Sequence, residues 1–183
     1  MSAHPLRICV IGAECTGKTT LCQALAQELH CPWVGEYLRE FCRVHRRTPG
    51  PHEQLQVASQ QMAWEQEALR AAQAAGKALV VCDGSPLLTA AYSQHYFSDG
   101  SLMEMGRTAQ SLYHLTLLLE PDLPWVADGD LRDGQEARAA VHQLLQKELG
   151  QIGRCVRIAG HGPKRLRLAL QAVQAVQVVW PPT

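Results

Sequence analysis

Short apolar runs alternate with longer amphipathic stretches along most of the chain. Runs rich in Ile, Val and Leu predict buried strands at 6–11, 78–82 and 113–119, and weaker runs predict strands at 33–34 and 155–159. Leucines spaced one turn apart, with Pro or Gly at the ends, predict helices at 19–29, 36–46, 52–75, 86–94, 135–149 and from Pro163 onward. Residues 96–105 show no clear pattern. The alternation predicts an α/β fold with a five-stranded parallel sheet covered by helices on both faces, and it leaves the strand order open.

Composition narrows the class of protein. The chain has 183 residues, close to the length of one domain, and its 17 basic and 17 acidic residues cancel. A neutral chain has no electrostatic attraction to bulk nucleic acid or to a membrane surface. No apolar run reaches the roughly 18 residues of a membrane helix, and the apolar stretch at 8–12 is too short for a signal peptide. We therefore expect a single cytoplasmic domain that binds neither nucleic acid nor membranes.

The cysteines argue against a zinc site or a redox dithiol. Their number, seven, is odd, and no two of them form a C-x-x-C pair. The pattern is typical of reduced, mostly buried thiols in a reducing compartment.

One motif carries a specific chemistry. Residues 12–19 read Gly-Ala-Glu-Cys-Thr-Gly-Lys-Thr and match G-x-x-x-x-G-K-[ST] at every fixed position, between a predicted strand and a predicted helix. Backbone N–H groups at such a helix start attract phosphate oxygens, while Lys18 supplies a charge and Thr19 a hydroxyl for Mg²⁺. The residues expected to bind ATP are Gly12, Glu14, Cys15, Thr16, Gly17, Lys18, Thr19 and Thr20.

Asp83 is the candidate partner of Mg²⁺ outside the loop. It follows a buried apolar strand, so its carboxylate is expected in the crevice where the phosphates lie. The alternative is a turn residue, because the sequence Asp-Gly-Ser-Pro at 83–86 is also good turn chemistry.

Glu36 and Arg39 are candidates for the acceptor side. A phosphoryl transfer needs a placed base for the acceptor hydroxyl, and Glu36 follows the weak second strand. Arg39 lies one turn further on the same helix face and is suited to hold a substrate oxygen or the terminal phosphate. The alternative is a solvated, acidic helix start.

Other candidates have weaker signals. The loop at 121–134 is rich in Pro, Gly and Asp, and Arg132 within it is a candidate for the cation that a closing lid supplies, unless the segment is a plain surface loop. Gln61 has an amide suited to read a ring, although exposed helix glutamines are common. Arg165 is a candidate to stack on adenine, unless it only solvates a helix face.

Taken together, these motifs resemble the nicotinamide riboside kinase domain of NadR and the stand-alone, AAA-type NadR-like P-loop ATPases. The residues that carry the resemblance are Gly12 to Thr20, Glu36 to Glu40, Asp83, Thr89 to Ser93, Leu119 to Asp122, Pro124-Trp125, Asp128-Gly129, Arg132-Asp133, Gly160 and Arg165. They span most of the chain in the family's order. One departure is Gly84, where the family usually carries a hydroxyl residue, and the DNA-binding and adenylyltransferase regions of full NadR are absent.

The resemblance implies a P-loop kinase fold and transfer of the ATP γ-phosphate to the 5′-hydroxyl of a nucleoside, nicotinamide riboside in this family. It implies Lys18, Glu36 and Arg132 in catalysis, Thr19 and Asp83 at the metal, and Gly160 with Arg165 on the adenine side. The residues expected to bind the acceptor are Glu36, Tyr37, Arg39, Gln61, Asp83, Trp125 and Asp128.

Two alternatives remain open at this point. The first is a kinase for another nucleoside or small alcohol, which Gly84 and the unassigned segment at 96–105 permit. The second is an ATPase switch that acts with a partner. A Ras-like GTPase is disfavoured, because the chain contains no asparagine and no T-K-x-D guanine motif.

Overall fold

Five parallel strands form the sheet that the apolar runs predict. The computed structural model describes residues 4–125, 134–152 and 154–180. The strands are β1 (Leu6–Ile11), β2 (Trp33–Val34), β3 (Leu79–Asp83), β4 (Leu115–Leu119) and β5 (Cys155–Ile158). Their order in the sheet is β2-β3-β1-β4-β5, with every pair parallel. The prediction of a five-stranded parallel sheet is confirmed.

Helices fill the connections between the strands. They are α1 (Lys18–Glu28), α2 (Tyr37–His45), α3 (Gln54–Ala74) after a 3₁₀ turn at Pro51–Glu53, α4 (Pro86–Phe97), α5 (Met103–Gln110), α6 (Gln135–Leu149) and α7 (Gly162–Val179). Among the helices of the described part, none is both long and apolar enough to cross a bilayer.

Helix α5 was not predicted. It is short, and Gly106 in its middle weakens any helical signal. The structure shows why glycine is used there: a Cβ at Gly106 would lie 3.0 Å from the Cα of Leu87 in α4. The two helices therefore pack backbone to backbone, a requirement that periodicity in the sequence does not reveal.

The core consists of two apolar layers, one on each side of the sheet. Along β1, Ile8 and Val10 face α1 and α7, where they pack with Leu21 and Val173. The alternate residues of β1 face α3, α4 and α6 and belong to the other layer. Because both faces are covered, all of the central strands are buried, as expected of a parallel sheet.

The topology places the candidate motifs at one edge of the sheet. Strand β1 lies between β3 and β4, so the strand order reverses beside it, and ligands bind at such switch points outside the carboxyl ends of the strands. The register pairs Val10 of β1 with Asp83 of β3. The loop that follows β1 and the carboxylate that ends β3 are therefore neighbours.

Candidate active site

The loop at 12–19 is folded tightly over the end of β1. Gly17 has φ +79°, a left-handed conformation that favours glycine, and α1 begins at the next residue. A Cβ at Gly12 would lie 2.7 Å from the Thr16 hydroxyl, which itself donates a hydrogen bond to the carbonyl of Ala13 at 2.7 Å. Both fixed glycines of the motif are thus required by the turn.

Lys18 joins this loop to the acceptor side. Its ammonium donates to the carbonyl oxygen of Ala13 at 3.3 Å, and its Nζ lies 4.0 Å from Oε2 of Glu36. Both side chains are nearly buried, with 3% and 8% of their surface exposed. The positive charge of Lys18 therefore lies between the phosphate loop and Glu36, the predicted base.

Asp83 faces the start of α1. The Thr19 hydroxyl donates to its Oδ2 at 2.6 Å, while its Oδ1 is buried and has no hydrogen-bond partner within the described residues. Burial, with the nearby charge of Glu36, raises the pKa of Asp83 to about 6. A buried carboxylate oxygen without a donor, beside a threonine hydroxyl, fits the hard oxygen ligands of Mg²⁺.

Within the described residues, no group of three or more His, Cys, Asp or Glu side chains is arranged to hold a metal. Mg²⁺ in nucleotide sites is usually bound by one or two protein oxygens, with phosphate oxygens and water completing its shell. The pair formed by Thr19 and Asp83 is consistent with that kind of site.

Arg39 completes the group around Glu36. Its Nε lies 3.4 Å from the Oε2 of Glu36, one turn along α2 as the spacing predicts. Four predicted residues, Lys18, Glu36, Arg39 and Asp83, therefore come together at the same edge of the sheet, although they derive from three separate segments.

A cavity of about 620 Å³ opens beside Lys18. Its polar lining includes Glu36 and Arg39, and an aromatic side comes from Tyr92, Tyr96 and Phe97 of α4. The other lining residues are Glu14, Lys18, Leu38, Cys42, Arg43, Thr48, Pro49 and Gln54.

The aromatic side of this cavity was not predicted. Tyr92 and Tyr96 are spaced four residues apart, so they lie on one helix face, with ring centroids 6.1 Å apart. That spacing is the signal in the sequence. The predicted helix ended at 94 and therefore left Tyr96 out, whereas α4 continues three residues further, to Phe97.

Gln61 and Tyr37 do not line the cavity in this structure, contrary to the expectation that they contact the acceptor. The Gln61 Oε1 accepts a hydrogen bond from the Tyr37 backbone N–H at 2.8 Å, and its Nε2 donates to Glu65 at 2.9 Å. The Tyr37 ring packs edge-on against Trp64. Both ends of the buried amide are therefore used to hold the first turn of α2, which follows Glu36.

We expect Gln61→Met to lower the free energy of unfolding by about 2 kcal/mol, because it leaves the buried Glu65 and the Tyr37 N–H each short of a partner. Urea denaturation measures the change. The matched control is Gln60→Met, since Gln60 is exposed on the same helix and its loss should cost less than about 0.5 kcal/mol. Equal effects of the two substitutions would contradict this positioning role.

Arg165 lies beside the loop at 12–19, on the opposite side from the cavity. It is 4% exposed, and its guanidinium donates to the carbonyl of Thr16, to the carbonyl of Glu120 at 3.1 Å, and to the carboxylate of Asp122. Both terminal nitrogens of the guanidinium are therefore bound to the protein itself, and stacking of Arg165 on adenine remains a prediction. Gly160 is nearby and donates its N–H to Asp122 at 2.5 Å.

A smaller, mostly apolar notch lies between this arginine and α1. Its volume is about 310 Å³, and its lining residues are Gly17, Thr20, Leu21, Ala24, Leu123, His161, Gly162, Pro163, Arg165 and Leu166. An apolar notch that begins at the phosphate loop is suited to a flat base attached to a polyphosphate.

The predicted lid loop is described only in part. Arg132 and Asp128, with most of the predicted lid loop, lie outside the described residues. Trp125 is described, and its indole N–H is buried without a hydrogen-bond partner in the described part of the chain. The predicted roles of these residues remain predictions.

The chain matches the model of a protein family described as an AAA domain, over residues 7–165. The chain belongs to this AAA-domain family. The match extends from β1 to Arg165 and therefore includes the phosphate loop, Glu36, Asp83 and the first turn of α7.

Solved structures with the same fold include nucleotide-binding kinases. The NadR protein in complex with NR has 22% identity and a TM-score of 0.80, covering 94% of this chain and 52% of the NadR chain. Thymidylate kinase from Ehrlichia chaffeensis has 18% identity and a TM-score of 0.63, covering 96% and 98%. Deoxyadenosine kinase from M. mycoides has 10% identity and a TM-score of 0.64, covering 93% and 100%. At these identities the likeness establishes the three-layer P-loop fold, as predicted.

The chain spans about half the length of the NadR chains that it resembles. A search of curated proteins found no match.

Proposed function

We propose that this protein is an ATP-dependent kinase that transfers the γ-phosphate to the 5′-hydroxyl of a nucleoside, with nicotinamide riboside as the first candidate. The observation that carries the proposal is that one lysine belongs both to the phosphate loop and to the neighbouring cavity. Lys18 is part of the phosphate loop, it lines the 620 Å³ cavity, and its Nζ lies 4.0 Å from Glu36 inside that cavity.

Each residue has a separate task in such a transfer. The backbone N–H groups of the loop hold the phosphates, and Lys18 places a positive charge on the oxygens that gain charge. Glu36 accepts the proton of the acceptor hydroxyl, whose oxygen bonds to the γ-phosphorus while the bond to the ADP oxygen breaks. Thr19 and Asp83 would hold Mg²⁺, which would supply positive charge to neutralise the phosphate oxygens.

The lining of the cavity suits the base of a nucleoside. Arg43 is bound to Glu40 through two hydrogen bonds of 2.6 and 2.7 Å, and the Nε of Arg39 lies 3.4 Å from Glu36. The aromatic rings and the carboxylate of Glu36 support a neutral or cationic nucleoside.

By resemblance, we also propose that Arg132 acts on the transferring phosphate from a lid at 121–134, and that the notch beside Arg165 receives the adenine.

Tyr96→Ala is expected to raise the KM for the acceptor about tenfold with little change in the KM for ATP, because a stacked base contributes about 1–3 kcal/mol. Tyr96 is suited to the test because it is 40% exposed, so its loss should not disturb the core. Tyr96→Phe keeps the ring and should retain the wild-type KM. A rise of the KM for ATP instead would place the ring outside the acceptor site.

A substrate panel tests the proposed function. The protein is incubated with Mg-ATP and a mixture of nucleosides and vitamins, and mass spectrometry identifies the compound that gains a phosphoryl group. A product from nicotinamide riboside supports the proposal, and a product from another compound supports the second candidate, a kinase for a different nucleoside or small alcohol. Steady ADP release that no compound alters would contradict both and favour an ATPase switch.

A further inference from the structure

The guanidinium of Arg165, a residue of α7, binds two other segments of the chain that border the phosphate site. It donates to the carbonyl of Thr16 inside the phosphate loop, 149 residues away in the sequence. It also donates to the carbonyl of Glu120, the first residue after β4. Arg165 itself lies in the first turn of α7 and is 4% exposed.

Asp122 completes this arrangement. One of its carboxylate oxygens accepts a hydrogen bond from Arg165, and the other accepts one from the backbone N–H of Gly160 at 2.5 Å. Gly160 has φ +96° and lies in the turn between β5 and α7. The carboxylate therefore ties the segment after β4 to the turn that forms the far wall of the apolar notch.

We infer that Arg165 and Asp122 form one positioning unit that sets the shape of the nucleotide site. The unit connects the phosphate loop, the segment after β4 and the β5–α7 turn through hydrogen bonds to backbone atoms of all three. This inference rests on the proposed function only in that the bound nucleotide is ATP.

The chemistry of the two side chains suits this task. Arginine presents its donors in a planar fork and remains charged when buried, so a single residue can satisfy several backbone carbonyls at once. A lysine keeps the charge but cannot reproduce the fork. Because the Thr16 carbonyl is within the loop that wraps the phosphates, a change at Arg165 is transmitted to the N–H groups that bind them.

Direct binding of AMP-PNP with Mg²⁺, measured by calorimetry, tests the inference without any acceptor. We expect Arg165→Met to weaken binding at least about 30-fold, and Arg165→Lys and Asp122→Asn about tenfold each. Because the two residues act as one unit, the Arg165→Met/Asp122→Asn double variant should bind no more than about twofold worse than Arg165→Met. Circular dichroism establishes that each variant is folded at the temperature of measurement.

Arg157→Gln is the matched control. Arg157 pairs with the side chain of Glu120, the same segment that Arg165 holds through its backbone, but it is 63% exposed and does not contact the phosphate loop in the described structure. Its removal should change nucleotide binding by less than about twofold, since surface ion pairs contribute little.

Three results separate the possible failures. Folded Arg165→Met and Arg165→Lys proteins that bind AMP-PNP as tightly as the unaltered protein would overturn the inference. Additive losses for Arg165→Met and Asp122→Asn would overturn it as well, because independent contacts add. Tight nucleotide binding with no phosphoryl transfer to any nucleoside would overturn only the proposed function.

Discussion

Glu36→Gln is expected to lower kcat by about 10² or more while the affinity for ATP stays nearly the same. The substitution keeps the size and one acceptor oxygen of the side chain but removes its ability to accept the proton of the acceptor hydroxyl. Nucleotide binding should be maintained, because the loop at 12–19 and Lys18 remain in place and Glu36 belongs to the cavity on the other side of the lysine.

Steady-state kinetics with the acceptor identified by the panel, together with calorimetric binding of AMP-PNP, measures both quantities. Glu28→Gln is the control, because Glu28 is an exposed glutamate at the end of α1 and should leave kcat unchanged. Unchanged turnover in Glu36→Gln would remove Glu36 from the role of base, and a parallel loss of AMP-PNP binding would make it a nucleotide ligand.

Asp83→Asn is expected to affect stability and turnover in opposite directions. Asp83 is fully buried, and its pKa of about 6 shows that the folded protein disfavours its charge, because of burial and the neighbouring Glu36. Asparagine fits the same space and still accepts the Thr19 hydroxyl. The variant should therefore be more stable than the unaltered protein by about 1–3 kcal/mol at neutral pH.

The pH dependence of this difference has a definite sign. A carboxyl whose pKa is raised on folding binds its proton more tightly in the folded protein, so its contribution to stability falls as the pH rises from about 4 to about 6 and then stays constant. Urea denaturation should thus give equal free energies of unfolding for the two proteins near pH 3.5. The difference between them should grow from about pH 4 to about pH 6 and stay constant above pH 6.

Turnover should respond in the opposite way. Loss of a carboxylate ligand should weaken the hold on Mg²⁺ and lower kcat by about 10²-fold with Mg-ATP. Asp99→Asn is the control, since Asp99 is a partly exposed aspartate whose pKa lies below its usual value because it accepts the Ser101 backbone N–H. Its removal should not stabilise the protein. A less stable Asp83→Asn protein at neutral pH would contradict the account of Asp83.

The parts of the candidate site that could be predicted from the sequence depend on neighbours in the chain. The phosphate loop needs eight consecutive residues, and its conformation follows from Gly12, Gly17 and the helix start. The pair formed by Glu36 and Arg39 needs only one helical turn. Asp83 was found because a buried strand directs the residue at its carboxyl end into the crevice.

The surroundings of Gln61 and Arg165 could not be predicted, because they depend on contacts between distant segments. Gln61 is three residues before Trp64 and looked like an exposed helix residue, but α2 packs on that face and uses its amide. Arg165 looked like a cation for a ligand, yet its guanidinium donates to two backbone segments far away in the chain, at Thr16 and Glu120, and to the side chain of Asp122. No pattern of residues within α3 or α7 indicates which segment packs over Gln61 or Arg165.

The amino-acid sequence by itself determined the layered sheet and the phosphate loop, because alternating apolar periods and a contiguous glycine motif act through local geometry. Only the tertiary structure decided the shape of the cavity beside Lys18 and the partners of Arg165. The cavity is lined by residues of α2, of α4 and of the segment at 48–54, and Arg165 binds a residue 149 positions away in the chain. Such surfaces form when separate elements pack, so their composition depends on which faces meet and not on the order of residues along the chain.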